Sequence, residues 1–321
     1  MRDSFGRVTD YLRISLTDRC NLRCRYCMPT CGVKDIPHRE ILSFEEMLRI
    51  LRIMAGQGLK KVRLTGGEPL LRKGVDRLIA DISRIPGIEE TLITTNGILL
   101  SRMCGDIKNA GVKRVNISLD TLDKEVFAGL TGTDRLDDVL KGIDTTYDSG
   151  IGVRINCVPI RGINDRELES IALIARDREI DVRFIELMPI GLGAGFEGIS
   201  SGEILERLKT AFGGYKEVGK ESRSPAFYCS FEGFKGRIGT ISPMSHKFCE
   251  SCDRLRLTSD GFLKLCLQYP AGADLKTPMR EGISDEGLER LILETVKKKP
   301  LAHSFEKGEL TDRRKMVQIG G

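Results

Sequence analysis

From residue 12 to about residue 188, strand-length apolar runs alternate with stretches whose apolar positions recur at helical spacing. The runs at 12–16, 61–65, 91–94, 114–119, 153–159 and 182–187 read as strands. The stretches at 43–57, 75–83, 100–109, 136–148 and 165–178 read as amphipathic helices, with Ser43, Asp137 and Asn164 as capping residues near their starts. Such alternation implies a parallel sheet with helices outside it. Six units are too few to close an eight-fold barrel, so the expected fold class is α/β, an open partial (β/α)6 TIM-like barrel. Its ligands should collect at the C-terminal ends of the strands.

After Pro189 the alternation breaks. Gly191, Gly193, Gly195, Gly198 and Gly202 crowd a short stretch that reads as a loop into a different module. The expected division is residues 1–189 for the partial barrel and 190–321 for a smaller C-terminal cysteine-containing module. The strand ends hold Gly66-Gly67-Glu68-Pro69, Thr94-Thr95-Asn96-Gly97, Ser118-Leu119-Asp120 and Glu186-Leu187-Met188-Pro189, so polar groups and glycines gather at one edge. The two glycines at 66 and 67 let backbone approach a ligand closely, and Pro69 stiffens the exit.

Composition adds a class and excludes others. The chain has 321 residues, 40% hydrophobic and 30% charged, enough to bury a full core. No apolar h-region occupies residues 1–10 and no later stretch reaches the length of a membrane span, so a soluble, cytoplasmic protein with no membrane partner is expected. Ten cysteines without a secretory signal point to thiolate ligands in a reducing compartment. With 51 basic against 46 acidic residues, the balance is too mild for a nucleic-acid binder and suits an anionic small substrate.

The cysteines carry the chemistry. Cys20, Cys24 and Cys27 are spaced C-x3-C-x2-C just after the first strand. Three thiolates so placed can hold three corners of a cubane iron–sulfur cluster and leave the fourth iron open for chemistry. A closed site completed by Cys31, and disulfides, are the alternatives. Farther on, Cys249-x2-Cys252 and Cys266 give a second three-thiolate cluster or a zinc site completed by His246 or Cys229; spacing alone favours zinc. Arg13 and Arg63 sit inside apolar strand runs, where a charge is costly to bury without an anionic partner. The stretch Gly214 to Glu221 approaches a P-loop but has Glu where magnesium-binding Ser or Thr is required, and is rejected.

The triple Cys20/Cys24/Cys27, with Tyr26 before its last cysteine and Gly66-Gly67-Glu68-Pro69 after a strand, resembles the radical S-adenosylmethionine (SAM) superfamily. The resemblance implies SAM on the open iron, with Tyr26, Gly67, Ser118 and Met188 lining its site. Cys252 followed by Arg254-x-Arg256, Cys266 after thirteen intervening residues, and the terminal Gly320-Gly321 narrow it. Nearly end to end, the chain resembles the GTP 3′,8-cyclase family of molybdenum cofactor biosynthesis.

That resemblance implies two 4Fe-4S clusters, the second on Cys249, Cys252 and Cys266, which reverses the preference for zinc. It implies that Arg13, Arg63, Thr94, Arg154, Arg254 and Arg256 contact GTP, and that Arg254, Arg256 and the tail Gly320-Gly321 serve catalysis. The implied reaction converts GTP to 3′,8-cyclo-7,8-dihydro-GTP, the first step towards molybdopterin. Its implied partners are a one-electron donor, a downstream cyclic pyranopterin monophosphate synthase and a second copy of the chain in a homodimer. The chain departs from the pattern in having Arg154 where Lys is usual and no tryptophan, and Cys31 and Cys229 have no assigned role. A different two-cluster radical SAM enzyme, such as a peptide-modifying maturase, is the alternative.

Overall fold

A computed structural model describes every residue except 35, 221–223, 306–311, 313 and 321. The six expected strands form as β1 (Tyr11–Ser15), β2 (Lys61–Thr65), β3 (Glu90–Thr95), β4 (Arg114–Ser118), β5 (Gly152–Cys157) and β6 (Asp181–Ile185). They pair in sequence order and in parallel, as helical crossovers require. Within each strand the side chains alternate between two faces. Leu12 and Ile14, Val62 and Leu64, Val115 and Ile117, Val153 and Ile155, and Val182 and Phe184 are buried in the main apolar core. Arg13, Arg63, Asn116, Arg154 and Arg183 take the intervening positions on the opposite, concave face.

The core is completed by α1 (Phe44–Gly56), α2 (Val75–Ser83), α3 (Leu100–Asn109), α4 (Lys124–Thr131) and α5 (Leu136–Asp148). Ser43 caps α1 through a reciprocal box with Glu46. Two other capping expectations are corrected. Arg135, not Asp137, is the N-cap of α5, and Asp137 lies in its first turn. Asn164 makes no capping bond; its amide accepts from Ile160 N and donates to Asp120 O and Val158 O, tying the exits of β4 and β5 together. The helix expected at 165–178 is broken into a 3-10 turn (Asp165–Glu167), α6 (Leu168–Ala172) and α7 (Ile174–Asp177). The eight-residue α4, capped by Asp123, was not foreseen.

After α8 (Ser201–Phe212) the chain forms β7 (Tyr215–Lys220), β8 (Ala226–Phe231) and β9 (Ile238–Ile241), and β9 pairs in parallel with β6. It then crosses the molecule to form β10 (Arg254–Leu257), which pairs in parallel with β1 and is extended by β11 (Phe262–Lys264) and β12 (Gly272–Asp274). The helices α9 (Lys276–Arg280) and α10 (Asp285–Lys297) follow. The result is one open twelve-stranded sheet with the (β/α)6 unit at its centre and the later strands on both edges.

The turn after β2 shows how the strand ends are fixed. A Cβ at Gly67 would lie 2.2 Å from Arg19 O, and one at Gly66 2.7 Å from Thr17 O. Gly67 N donates to Thr17 O and Glu68 N to Arg19 O, so the close approach is made first to the chain leading into Cys20. Glu68 is fully buried, and its carboxylate accepts from Leu70 N, Thr95 Oγ1 and Asn96 N at 2.8–3.0 Å. Asn96 in turn donates to Asn21 Oδ1 at 2.8 Å. Replacing Glu68 by Leu keeps the volume and strands three buried donors. It should lower stability by about 3 kcal/mol, read as a fall in the urea midpoint of the metal-free protein.

Candidate active site

The concave face of the sheet encloses a cavity of about 460 Å³, which both cysteine triples line. Cys20, Cys24 and Cys27 stand beyond the C-terminal end of β1, where the fold rule places ligands. Cys252 precedes β10, and Cys266 follows β11, which runs antiparallel to it. Because β10 and β1 are parallel with Arg254 opposite Tyr11, the second triple lies at the other end of the strands. At about 3.3 Å per residue, the five residues of β1 hold the two ends roughly 15–20 Å apart.

The first donor set fits an iron–sulfur cluster. It is three sulfurs from one loop, with no imidazole among them, and soft thiolates select such metals. Cys20 Sγ accepts from Leu22 N at 3.4 Å and from Asn96 Nδ2 at 3.9 Å, the kind of N–H···S contact that stabilises a ligating thiolate. Burial pushes the Cys20 thiol up to about 11 and Cys27 to about 12, and Cys24 well above its ordinary value, with the neighbouring thiols adding to the rise for Cys24 and Cys27. Ionising these buried thiols therefore calls for a cation beside them.

The second triple has a different electrostatic setting. Burial raises the Cys252 thiol, but Lys299 and Arg254 outweigh it, and the net shift is downward. Cys249, half-buried, is raised by burial. The fourth ligands weighed for a zinc site are elsewhere: His246 is exposed, and Cys229 is buried in the core, donating to Ile238 O. Among the described residues no group of three His, Cys, Asp or Glu side chains closes on a point fit for a single ion. A cubane takes one thiolate per iron and does not require that convergence.

Between the triples runs a band of arginines. Arg256, Arg13 and Arg63 are register partners on β10, β1 and β2, one beside the next. Arg63 donates to the Tyr11 hydroxyl, to Ile93 O (3.2 Å) and Thr94 Oγ1 (3.3 Å), and, once the Asn116 amide is turned so that its oxygen faces the two guanidiniums, to that oxygen (2.9 Å). Arg183, from β6, donates to Asn156 Oδ1 (2.6 Å) and the same Asn116 oxygen (2.6 Å). Arg154 pairs with Asp181 at 3.0 Å, and Asp181 is shared with Arg237. Arg254 lies over the Phe248 ring, 5.0 Å from its centroid. Burial lowers Arg13 well below its usual value and Arg256 and Arg183 to about 10, with neighbouring arginines adding to each shift.

Tyr26, Gly67, Ser118 and Met188 line the cavity, as do Thr94 and the arginines expected from the sequence. The Tyr26 hydroxyl donates to Asp120 Oδ2 at 2.7 Å. The tail reaches the same place. Gly320 O accepts from Arg13 Nη2 (3.4 Å) and Arg256 Nη1 (3.2 Å), and a Cβ at Gly320, whose φ is +80°, would meet Thr65 Oγ1 at 2.8 Å. Only glycine suits that position. Gly321 lies outside the described residues.

Sequence reasoning missed Tyr11, Asn116, Arg183 and Lys299 and placed Asp120 and Asn156 only among the polar strand ends, without a role; all six are on the cavity wall. Arg183 carried the signal that marked Arg13 and Arg63, a charge inside an apolar strand. Tyr11 and Asn116 show only their alternation with apolar neighbours, and Lys299 shows no sequence signal.

Two family models match the chain: the Radical SAM superfamily over residues 14–174 and Molybdenum Cofactor Synthesis C over residues 180–305. A GTP 3′,8-cyclase of Clostridium perfringens is 47% identical over the full length of both chains. One of Thermodesulfovibrio yellowstonii is 45% identical, again over the full length of both. Among solved structures, Streptococcus suis SuiB bound to its precursor peptide SuiA shares the fold with a TM-score of 0.62 at 17% identity, covering 92% of this chain and 66% of that one. The open barrel, the cysteine spacing and these full-length likenesses agree: the chain belongs to the radical SAM superfamily and, within it, to the GTP 3′,8-cyclase family.

Proposed function

We infer that this protein is a GTP 3′,8-cyclase, converting GTP to 3′,8-cyclo-7,8-dihydro-GTP as the first step of molybdenum cofactor biosynthesis. The observation that carries the reading is one cavity with a three-cysteine set at each end and an arginine band between them. Full-length identity with named cyclases supports it over the peptide-modifying alternative, since the likeness to SuiB is one of fold. Cys20, Cys24 and Cys27 hold one 4Fe-4S cluster, and Cys249, Cys252 and Cys266 a second. Bound to the first cluster, SAM supplies the radical that removes hydrogen from the substrate.

The chain's own residues supply placement. Tyr26, fixed on Asp120, with Gly67, Ser118 and Met188, shapes the pocket beside the first triple where SAM sits. Arg13, Arg63, Arg154, Arg254 and Arg256 take the triphosphate, because guanidinium forks bind phosphate oxygens in pairs and stay charged. The Gly320 carbonyl, between Arg13 and Arg256, orients both and closes the cavity against water. The reaction needs a one-electron donor, and its product passes to cyclic pyranopterin monophosphate synthase. Ten free thiols suit a cytoplasmic setting, and no described helix is long and apolar enough to cross a membrane.

The deciding experiment is anaerobic reconstitution with iron and sulfide, then incubation with dithionite, SAM and GTP. Mass spectrometry should find 5′-deoxyadenosine together with a cyclised isomer of GTP; deoxyadenosine with GTP untouched would overturn the substrate assignment. Cys24→Ala should abolish deoxyadenosine formation altogether. Arg256→Met should leave SAM cleavage intact and weaken GTP binding about ten- to a hundred-fold, the loss of one charge-assisted phosphate contact, measured by equilibrium binding.

A pH effect follows from Tyr11. Burial raises its phenol, but Arg63 and Arg13 outweigh burial and bring it down to about 8. Above that pH a phenolate stands among the arginines and competes with the triphosphate, so GTP affinity should fall as pH rises through about 8. In Tyr11→Phe that decline should disappear from a binding series run between pH 7 and 9.

A further inference from the structure

The second cysteine triple is drawn from two separate segments, and a third segment fastens them. Lys299, which follows α10, is 3% exposed. Its Nζ donates to Arg254 O and to Leu265 O, both at 2.7 Å. The first carbonyl is two residues after Cys252 and the second is one residue before Cys266, so a single ammonium joins the two ligand-bearing segments. Cys249 is fastened through Arg7, whose side chain is 8% exposed. Arg7 Nη1 donates to Cys249 O (2.8 Å) and Leu301 O (2.7 Å), and Nη2 donates to Pro300 O (2.6 Å). Asp3 holds the guanidinium from behind through Nε at 2.5 Å.

Charge sets Lys299 apart from Arg7. Arg7 has Asp3 as counter-ion, whereas among the described residues Lys299 has neutral carbonyls as partners and no carboxylate. A buried ammonium without a counter-ion costs several kcal/mol. Its charge acts on the Cys252 thiol, which it helps draw down, and it lines one cavity with Cys252 and Cys266.

Resting on the reading of the second triple as a 4Fe-4S site, we propose that Lys299, with Arg7, is a positioning residue for that cluster. The segment 299–301 is a strap that holds the three cysteines in register, and the Lys299 ammonium is the cluster's built-in counter-charge. Two consequences are separable. The strap governs how firmly the iron is held. The charge governs the reduction potential, because a nearby cation stabilises the more negative, reduced cluster.

The test uses the full chain loaded with iron and sulfide. Lys299→Met removes both hydrogen bonds and the charge, and Lys299→Gln keeps an N–H₂ donor for the carbonyls but no charge. Bound iron and sulfide are counted before and after a chelator challenge. The second cluster's potential is titrated from the part of the reduced spectrum that Cys252→Ala removes.

Lys299→Met should lose the second cluster's iron to the chelator at least tenfold faster than wild type, with Lys299→Gln between the two. Both should titrate at a lower potential than wild type, a shift that a purely structural role would not produce. SAM cleavage at the first triple should persist in both. Wild-type iron retention in Lys299→Met together with an unchanged potential in Lys299→Gln overturns the proposal; should Lys299→Met not fold, the potential of Lys299→Gln decides alone. Wild-type protein that takes up iron for one cluster only overturns the two-cluster reading itself, and the proposal with it.

Discussion

Arginines set side by side on the inner face of the sheet are the constraint on which the rest depends. Arg256, Arg13 and Arg63 are neighbours in register, so their like charges repel across strand spacings of about 4.8 Å. Neutral acceptors meet part of the cost for Arg63 and Arg183, and Asp181 holds Arg154. Burial first, and neighbouring arginines after it, lower Arg13, Arg183 and Arg256. The opposite face, with Leu12, Ile14, Val62 and Leu64 wholly buried, provides the stability that lets the inner face stay polar. An anion entering the cavity relieves the repulsion, so substrate binding and stability of the sheet are linked.

The cysteine loops depend on that sheet through buried polar ties that differ at its two ends. At the C-terminal end an acceptor does the work: the buried Glu68 carboxyl collects backbone and hydroxyl donors and fixes Asn96, which reaches Asn21 and the Cys20 sulfur. At the other end cations do it, with Arg7 and Lys299 collecting carbonyls around Cys249, Cys252 and Cys266. Both devices let short loops hold thiols in position without disulfides.

What could be read from the sequence divides along physical lines. Helical spacing and apolar runs are local, and they placed six strands and most helices within one or two residues. The misses were also local. Helix α4 is eight residues long, too short for its period to stand out, and Asn164 resembles a cap in sequence while its amide serves the β4 and β5 exits. Side-chain alternation within strands, Tyr11-x-Arg13-x-Ser15 and Asn116-x-Ser118, already described a polar concave face, and Arg183 satisfied the test applied to Arg13. The partner of Asp120 and the position of Lys299 were beyond reach because the contacts are distant in sequence: Tyr26 is 94 residues from Asp120, and Leu265 is 34 from Lys299.

The largest gap concerned direction. The rule that ligands gather at the C-terminal ends of parallel strands locates Cys20, Cys24 and Cys27, and it says nothing of the second triple. That set is placed by the pairing of β10 with β1, whose sequence separation of some 240 residues no local pattern reveals. Because the pairing is parallel, Cys252 arrives at the start of β10, opposite the start of β1, while Cys20 follows the end of β1. Had β10 run antiparallel, the chain entering it would have brought Cys252 to the same end as Cys20. The separation of the two sets by the length of a strand, with arginines filling the interval, is thus a consequence of strand direction. It gives the cavity two chemically distinct poles and a cationic wall between them.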